Sequence, residues 1–373
     1  MIKKKSTHGD LINAKKEKAD DYYTLLSDIE KELKHYKRSF KNKVVLCNCD
    51  DPRVSNFFHY FSYNFERLGL KKLITTCYKN QSVDLFSQSI SEKAIFLEYT
   101  GDKNNNKVPD IEEIKTKDFK GDGDFRSDEC INLLKKSDIV VTNPPFSLFR
   151  EYVAQLIQNK KKFIIIGHQN ALSYKDIFKL IKEKKLWLGF SIKSGDREFQ
   201  VPDNYKLTSK SKRIDSDGKQ YVKVPGVRWF TNIEYKERYE DIELYKTYKG
   251  NKNEYPKYFN YDAIDVSKTK EIPLDYKGEM GVPISFINRY NPDQFEIIAL
   301  GIVNSINFKS QRKMEILDKM GNPTGNFTIN AKGTLYRLHN PKRDTVAPSF
   351  KDCETGALYQ SIYARIIIKN KKI

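Results

Sequence analysis

Ser137-Asp138-Ile139-Val140-Val141-Thr142-Asn143-Pro144-Pro145-Phe146 reads as a short apolar strand that runs straight into a rigid turn. Residues 139–142 are apolar or β-branched, the composition of a strand covered on both faces. Two successive prolines restrict φ and donate no N–H, so the strand stops at Asn143. Helical spacing resumes over Phe149 to Ile157. Working outward, Val44 to Cys49, Leu73 to Cys77, Ala94 to Leu97 and Phe163 to Gly167 repeat the short apolar run, separated by helical patterns. Such alternation predicts an α/β fold with a doubly wound sheet. Ligands bind beyond the carboxyl ends of the strands of such a sheet, where Asp50, Asp51, Tyr78 and Asn143 fall.

The turn after residue 142 also carries chemistry. A Pro-Pro turn holds the Asn143 amide and the Pro144 carbonyl in fixed geometry, two acceptors side by side. An exocyclic amine such as adenine N6 is a poor nucleophile because its lone pair is delocalised into the ring. Accepting both of its hydrogens moves the nitrogen toward sp³ character as it attacks an electrophilic methyl group. Phe146 offers a stacking face for a base taken out of the duplex. The alternative is a Pro-Pro loop that only ends a strand. Asn143-Pro144-Pro145-Phe146 is similar to the amino-methyltransferase motif Asn/Asp/Ser-Pro-Pro-Tyr/Phe, which identifies the nitrogen and leaves the substrate open among adenine, cytosine, guanine and glutamine.

A cofactor site is expected at the end of the first strand, where Cys47-Asn48-Cys49-Asp50-Asp51-Pro52 stands in place of a glycine-rich loop. Asn48, Asp50 and Asp51 are candidates for ribose hydroxyls or a methionyl ammonium, and Pro52 for the start of the next helix. Equally, one carboxylate caps that helix. Tyr78 follows the second strand, where Thr75-Thr76-Cys77-Tyr78 lacks the usual acidic residue. Gly121-Asp122-Gly123-Asp124-Phe125 offers Asp124 and Phe125 as an acidic-aromatic pair for an adenine, or a plain acidic turn.

The chain has 373 residues, with 67 Lys and Arg against 49 Asp and Glu, a formal charge of +18 that favours a polyanionic partner. No apolar run approaches the length of a membrane span, and the start Met-Ile-Lys-Lys-Lys lacks a secretion signal, which points to the cytoplasm. Five cysteines are odd in number. Cys47 and Cys49 on one strand would face the same side, as buried thiols rather than metal ligands, and no metal site is expected. Residues 10–40 carry amphipathic helical spacing through Tyr22, Leu25, Leu26, Ile29, Leu33 and Tyr36. After about Phe190 the chain turns to short β-like runs, including Val222 to Val224, Val227 to Thr231, Glu296 to Leu300 and Ala364 to Ile368, an α+β or mostly β region. Arg197, Lys223, Arg228, Trp229 and Asn232 there combine phosphate and base-edge donors with aromatic neighbours, with Trp229 as strand core the competing reading. His168 reads as structural in preference to catalytic.

Several separated segments, in order, resemble the EcoRI-type adenine-specific DNA modification methyltransferase family. They are Cys49-Asp50-Asp51-Pro52 with Ser55-Asn56-Phe57, Asn143 to Ser147, Gly195-Asp196-Arg197, Gly226 to Asn232, Asn260 to Ile264, and Gly281 to Phe286 leading to Tyr290-Asn291-Pro292. The resemblance implies a Rossmann-like catalytic domain, S-adenosylmethionine as methyl donor, double-stranded DNA as substrate and N6-methyladenine as product. It implies that Asp-Asp-Pro replaces the glycine loop, and it assigns catalysis to Asn143, Pro144 and Phe146, with Pro145 completing the turn. The expected organisation is a helical extension over 1–42, a cofactor-binding catalytic core over 43–190, and remaining core strands plus a DNA target-recognition region over 191–373. A monomer is expected, acting either in a restriction-modification system or as a phage or orphan modification enzyme, and any cognate restriction endonuclease would act on the same site without a stable complex. Competing readings are methylation of RNA or protein glutamine, and an inactive DNA-binding relative.

Overall fold

The computed structural model describes residues 23–49, 55–77, 94–106, 109–110, 113–201, 212–303, 305–308, 312–329 and 333–373. The chain divides into two compact units, Met1–Ala171 with Leu186–Tyr235, and Leu172–Lys185 with Lys236–Ile373.

The first unit is built on an eight-stranded sheet. Its strands are β1 (Val44–Cys47), β2 (Lys72–Thr76), β3 (Ile95–Tyr99), β4 (Lys115–Asp118), β5 (Ile139–Thr142), β6 (Lys162–His168), β7 (Trp187–Leu188) and β8 (Val227–Thr231). They lie in the order β4-β3-β2-β1-β5-β6-β8-β7. The central four, β2, β1, β5 and β6, run parallel, and the flanking strands join antiparallel. All four residues of β5 are buried, as are Phe163 to Gly167 of β6, which is why these strands read as continuous apolar runs rather than alternating ones. From β1 the chain proceeds to β2 on one side, whereas β5 lies on the other side of β1 and leads on to β6. The order therefore reverses between β1 and β5.

Helices α1 (Leu26–Leu33), α2 (Asn56–Tyr63), α3 (Asp128–Lys136) and α4 (Phe149–Gln158) belong to this unit. Ser55 caps α2 by accepting from Phe57 N, and Ser127 caps α3 by accepting from Cys130 N. The expected amphipathic segment over 10–40 is helical from Leu26 and continues as a 3-10 stretch, Lys34–Phe40; residues 10–22 with Tyr22 lie outside the described residues. Ile29, Leu33 and Tyr36 enter the core, but Leu26 is exposed. Glu32 fastens this helix: its buried carboxylate accepts from Phe190 N at 3.0 Å, Ser191 N at 2.7 Å and the Tyr36 hydroxyl at 2.8 Å. A small antiparallel sheet of Tyr23–Thr24, Asp196–Val201, Gln220–Pro225 and Lys212–Ile214 completes the unit.

The second unit contains α5 (Lys175–Lys182) and two sheets. One comprises Ile264–Asp265, Met280–Pro283, Arg365–Asn370 and Phe295–Leu300, the other Pro323–Thr328, Met314–Leu317, Phe350–Asp352, Leu358–Ile362 and Leu335–Leu338. Asp265 is fully buried and accepts from Tyr258 Oη at 2.8 Å, Arg337 Nε at 2.9 Å and Arg365 Nε at 3.1 Å. Among the described residues no α-helix follows Lys182. The strand expected through Cys49 ends at Cys47, because Cys49 adopts φ 75°, so Cys47 and Cys49 do not share a strand face.

Candidate active site

The end of β5 is anchored before it turns. Thr142 donates its hydroxyl to the Asn48 carbonyl, tying this strand to the end of β1 at the point where the sheet order reverses. Asn143 and Pro144 are buried, Pro145 is half-buried, and the chain passes through a 3-10 turn, Phe146–Leu148, into α4. Phe146 is half-buried and packs against the main core. Phe149, Tyr152, Val153 and Leu156 form the buried stripe of α4, at the i, i+3, i+4, i+7 spacing. Phe149 is seated on β6: a Cβ at Gly167 would come 2.4 Å from its ring.

Three further segments meet this edge. Asn48 is buried, and its Oδ1 accepts from the Tyr152 hydroxyl. Burial holds that phenol well above its ordinary pKa, so it remains a protonated donor. The Tyr152 ring meets Phe125 edge-on, with centroids 5.0 Å apart, and the Phe125 carbonyl accepts from Gln155 Nε2 at 3.0 Å. Gly123, at φ 75°, lies so close to the end of β2 that a Cβ would stand 2.3 Å from the Cys77 carbonyl oxygen. Asp124 holds Arg126 through both carboxylate oxygens, Oδ1 to Nε at 2.9 Å and Oδ2 to Nη2 at 2.6 Å. Those hydrogen bonds keep its pKa below the ordinary carboxylate value despite partial burial. Asn48, Phe125 and Asn143 thus stand at one edge, linked by Tyr152 and Thr142. Asp50, Asp51, Pro52 and Tyr78 lie outside the described residues.

The candidate DNA residues separate into two groups. Arg228 lies across from Gly167, near the β5 turn, and is only 5% exposed. Its guanidinium donates to the Val227 carbonyl at 2.6 Å and to Gln169 Oε1 at 3.1 Å; burial and then the nearby Arg197 lower its pKa. Arg197 sits opposite Val224 in the small sheet and donates to the Ser194 carbonyl at 3.3 Å, and Lys223 is exposed opposite Glu198. Trp229 and Asn232 are placed differently. Trp229 is buried in the core, edge-on to Phe57 with centroids 6.2 Å apart. Asn232, just past the end of β8, clasps the start of β6, accepting from Phe163 N at 2.9 Å and donating to the Lys161 carbonyl at 2.8 Å. It therefore stands beyond the amino end of β6, at the opposite edge from Asn143. A DNA contact expected from these two side chains finds no support in that placement. His168 accepts at Nδ1 from Asn170 N at 3.1 Å, a local turn bond.

Tyr152, Gly167 and Gln169 were not singled out by sequence. A tyrosine in the apolar stripe of a helix reads as core, and its hydrogen-bond partner is far away in the chain.

No solved structure matches the chain. Among curated proteins it is 52% identical over 288 residues, 77% of this chain and 88% of the relative, to the Type II methyltransferase M.EcoRI of Escherichia coli. It is 44% identical over 287 residues, 76% of this chain and 83% of the relative, to the Type II methyltransferase M.MpnI of Mycoplasma pneumoniae. A third relative, the Type II methyltransferase M.MgeORF184P of Mycoplasma genitalium, is 42% identical over 287 residues, 76% of this chain and 84% of the relative. Residues 10–371 match the family described as adenine-specific methyltransferase EcoRI, and the chain belongs to that family.

Proposed function

We propose that this chain transfers a methyl group from S-adenosylmethionine to N6 of an adenine flipped out of double-stranded DNA, with Asn143-Pro144-Pro145-Phe146 as the catalytic turn. The enzyme is an adenine-specific DNA methyltransferase of the restriction-modification type. The observation that carries the site reading is the position of Asn143 and Pro144 at the end of β5, tied through Thr142 to Asn48 across the point where strand order reverses. We read this sheet as Rossmann-like and doubly wound. We assign 1–42 as a helical extension, 43–190 as the cofactor-binding core, and 191–373 as remaining core strands with a target-recognition region that is mostly β among the described residues.

The residues at this edge fit the proposed methyl donor. A buried amide at Asn48, the Phe125 ring and the ionised Asp124 offer polar and aromatic partners for an amino acid joined to a nucleoside. On sequence grounds Asp50, Asp51, Pro52 and Tyr78 complete it. Bound there, S-adenosylmethionine supplies an electrophilic methyl on a sulfonium. Asn143 Oδ1 and the Pro144 carbonyl accept the two N6 hydrogens of the target base and localise its lone pair. Phe146 stacks on the extruded ring, and the rigid Pro-Pro backbone prevents both acceptors from relaxing away. Arg197, Lys223 and Arg228 contact DNA. The enzyme works as a monomer in the cytoplasm, and any cognate endonuclease acts on the same sequence without a stable complex.

The test is incubation with methyl-labelled S-adenosylmethionine and unmethylated genomic DNA, followed by nucleoside mass spectrometry. N6-methyladenine in one short sequence context is expected. Label on cytosine, or only in RNA or protein, overturns the proposal.

A further inference from the structure

Tyr152 touches two residues of the proposed cofactor edge and none of its chemistry requires it to. Its hydroxyl donates to Asn48 Oδ1, and its ring packs edge-on against Phe125. The side chain is fully buried on α4, six positions beyond Phe146. The phenol takes one of the two lone pairs of Oδ1 and thereby fixes the orientation of the Asn48 amide, leaving the Nδ2 hydrogens, which bond to no described residue, to be donated elsewhere. The Asn48 carbonyl is likewise taken by Thr142. An asparagine amide is chemically two-faced, and a buried donor on its oxygen decides which face is presented.

We infer that Tyr152 is a positioning residue that locks the Asn48 amide with its N–H face toward the crevice, so that Asn48 donates to an oxygen of the bound methyl donor, a carboxylate or ribose hydroxyl. This rests on the reading of the β1-β5 edge as the S-adenosylmethionine site. The same helix follows the catalytic turn, so one side chain joins the cofactor edge to the segment that carries Asn143.

The experiment is a double-mutant cycle read by calorimetry with S-adenosylhomocysteine, which reports binding without turnover. Tyr152→Phe removes one oxygen and keeps the ring on Phe125. It should weaken binding about tenfold, the worth of one oriented hydrogen bond, while kcat at saturating S-adenosylmethionine stays within about twofold. Asn48→Ala should weaken binding comparably, and Tyr152→Phe in that background should add nothing. A folded Tyr152→Phe protein with unchanged affinity, or effects that simply add, overturns the inference while leaving the site reading intact. A wild-type protein that binds no S-adenosylhomocysteine overturns both. DNA affinity, measured alongside, should move little; the buried Oδ1 left unpaired should lower the unfolding temperature somewhat, so binding is read well below the transition, and a DNA affinity that falls in parallel contradicts a positioning role.

Discussion

Gly167 of β6 packs against the ring of Phe149, the first residue of α4, so closely that an added Cβ would come 2.4 Å from Cε2. The helix that follows the Asn-Pro-Pro-Phe turn is therefore seated on the sheet at a position where only glycine fits. Gly167→Ala should push Phe149 outward, cost about 1–3 kcal/mol by overpacking, and slow methyl transfer because the start of α4 carries the turn with it. Urea unfolding and single-turnover rates check this. A fully active, equally stable variant would show that the contact has room to relax.

Lys223 and Asn232, both candidates for DNA contact, should part company in a salt titration. Lys223 is exposed, and Lys223→Ala should lower the slope of log affinity against log salt by about 0.9 without changing stability. Asn232→Ala should leave that slope unchanged and destabilise the fold by about 1–3 kcal/mol, since Phe163 N and the Lys161 carbonyl lose their partner. The reverse assignment would place Asn232 on the DNA.

Asp265 organises the second unit. It is fully buried, with Arg337 and Arg365 on its carboxylate and Arg343 at 3.6 Å. Removing the charge leaves clustered guanidinium groups without their shared partner. Asp265→Asn should cost about 3–5 kcal/mol, measured by chemical unfolding. A loss below about 1 kcal/mol would mean that water enters the cluster.

Acid should loosen the sheet around Asp352. The Thr355 backbone N–H, then Arg312, hold its carboxyl down to about 2. A folded-state pKa below the unfolded value of about 3.9 gives stability that is present above about pH 4 and is lost as pH falls toward 2. Asp352→Asn should lower stability at pH 7 and flatten its dependence across that window, followed by unfolding at several pH values. An unchanged profile would rule out this carboxylate as a contributor.

How much was legible in the sequence follows from which forces are local. The β5 run and its Pro-Pro turn were readable, because burial on both faces and restricted φ are written in consecutive residues; the expected strand Ile139 to Thr142 and helix from Phe149 coincide with those found. The end of β1 was overrun by two residues because no pattern announces the positive φ of Cys49. In β8 all five residues are buried, so alternation gave no sign of which way Arg228 and Trp229 face. The Tyr152 bond to Asn48 and the Asn232 bridge join residues far apart in the chain, and no local spacing encodes them. Two-residue strands such as Trp187–Leu188 are too short to leave a periodic trace.

Activation of the adenine amine by Asn143 is read directly from single-turnover methylation of an unmethylated duplex by wild type and Asn143→Ala, scored as N6-methyladenine by nucleoside mass spectrometry, with DNA affinity measured in parallel. Wild type should yield N6-methyladenine, and the variant a rate at least about 100-fold lower, in line with loss of a preorganised hydrogen-bonding group, with nearly unchanged DNA binding. Near wild-type turnover by Asn143→Ala would contradict that activation.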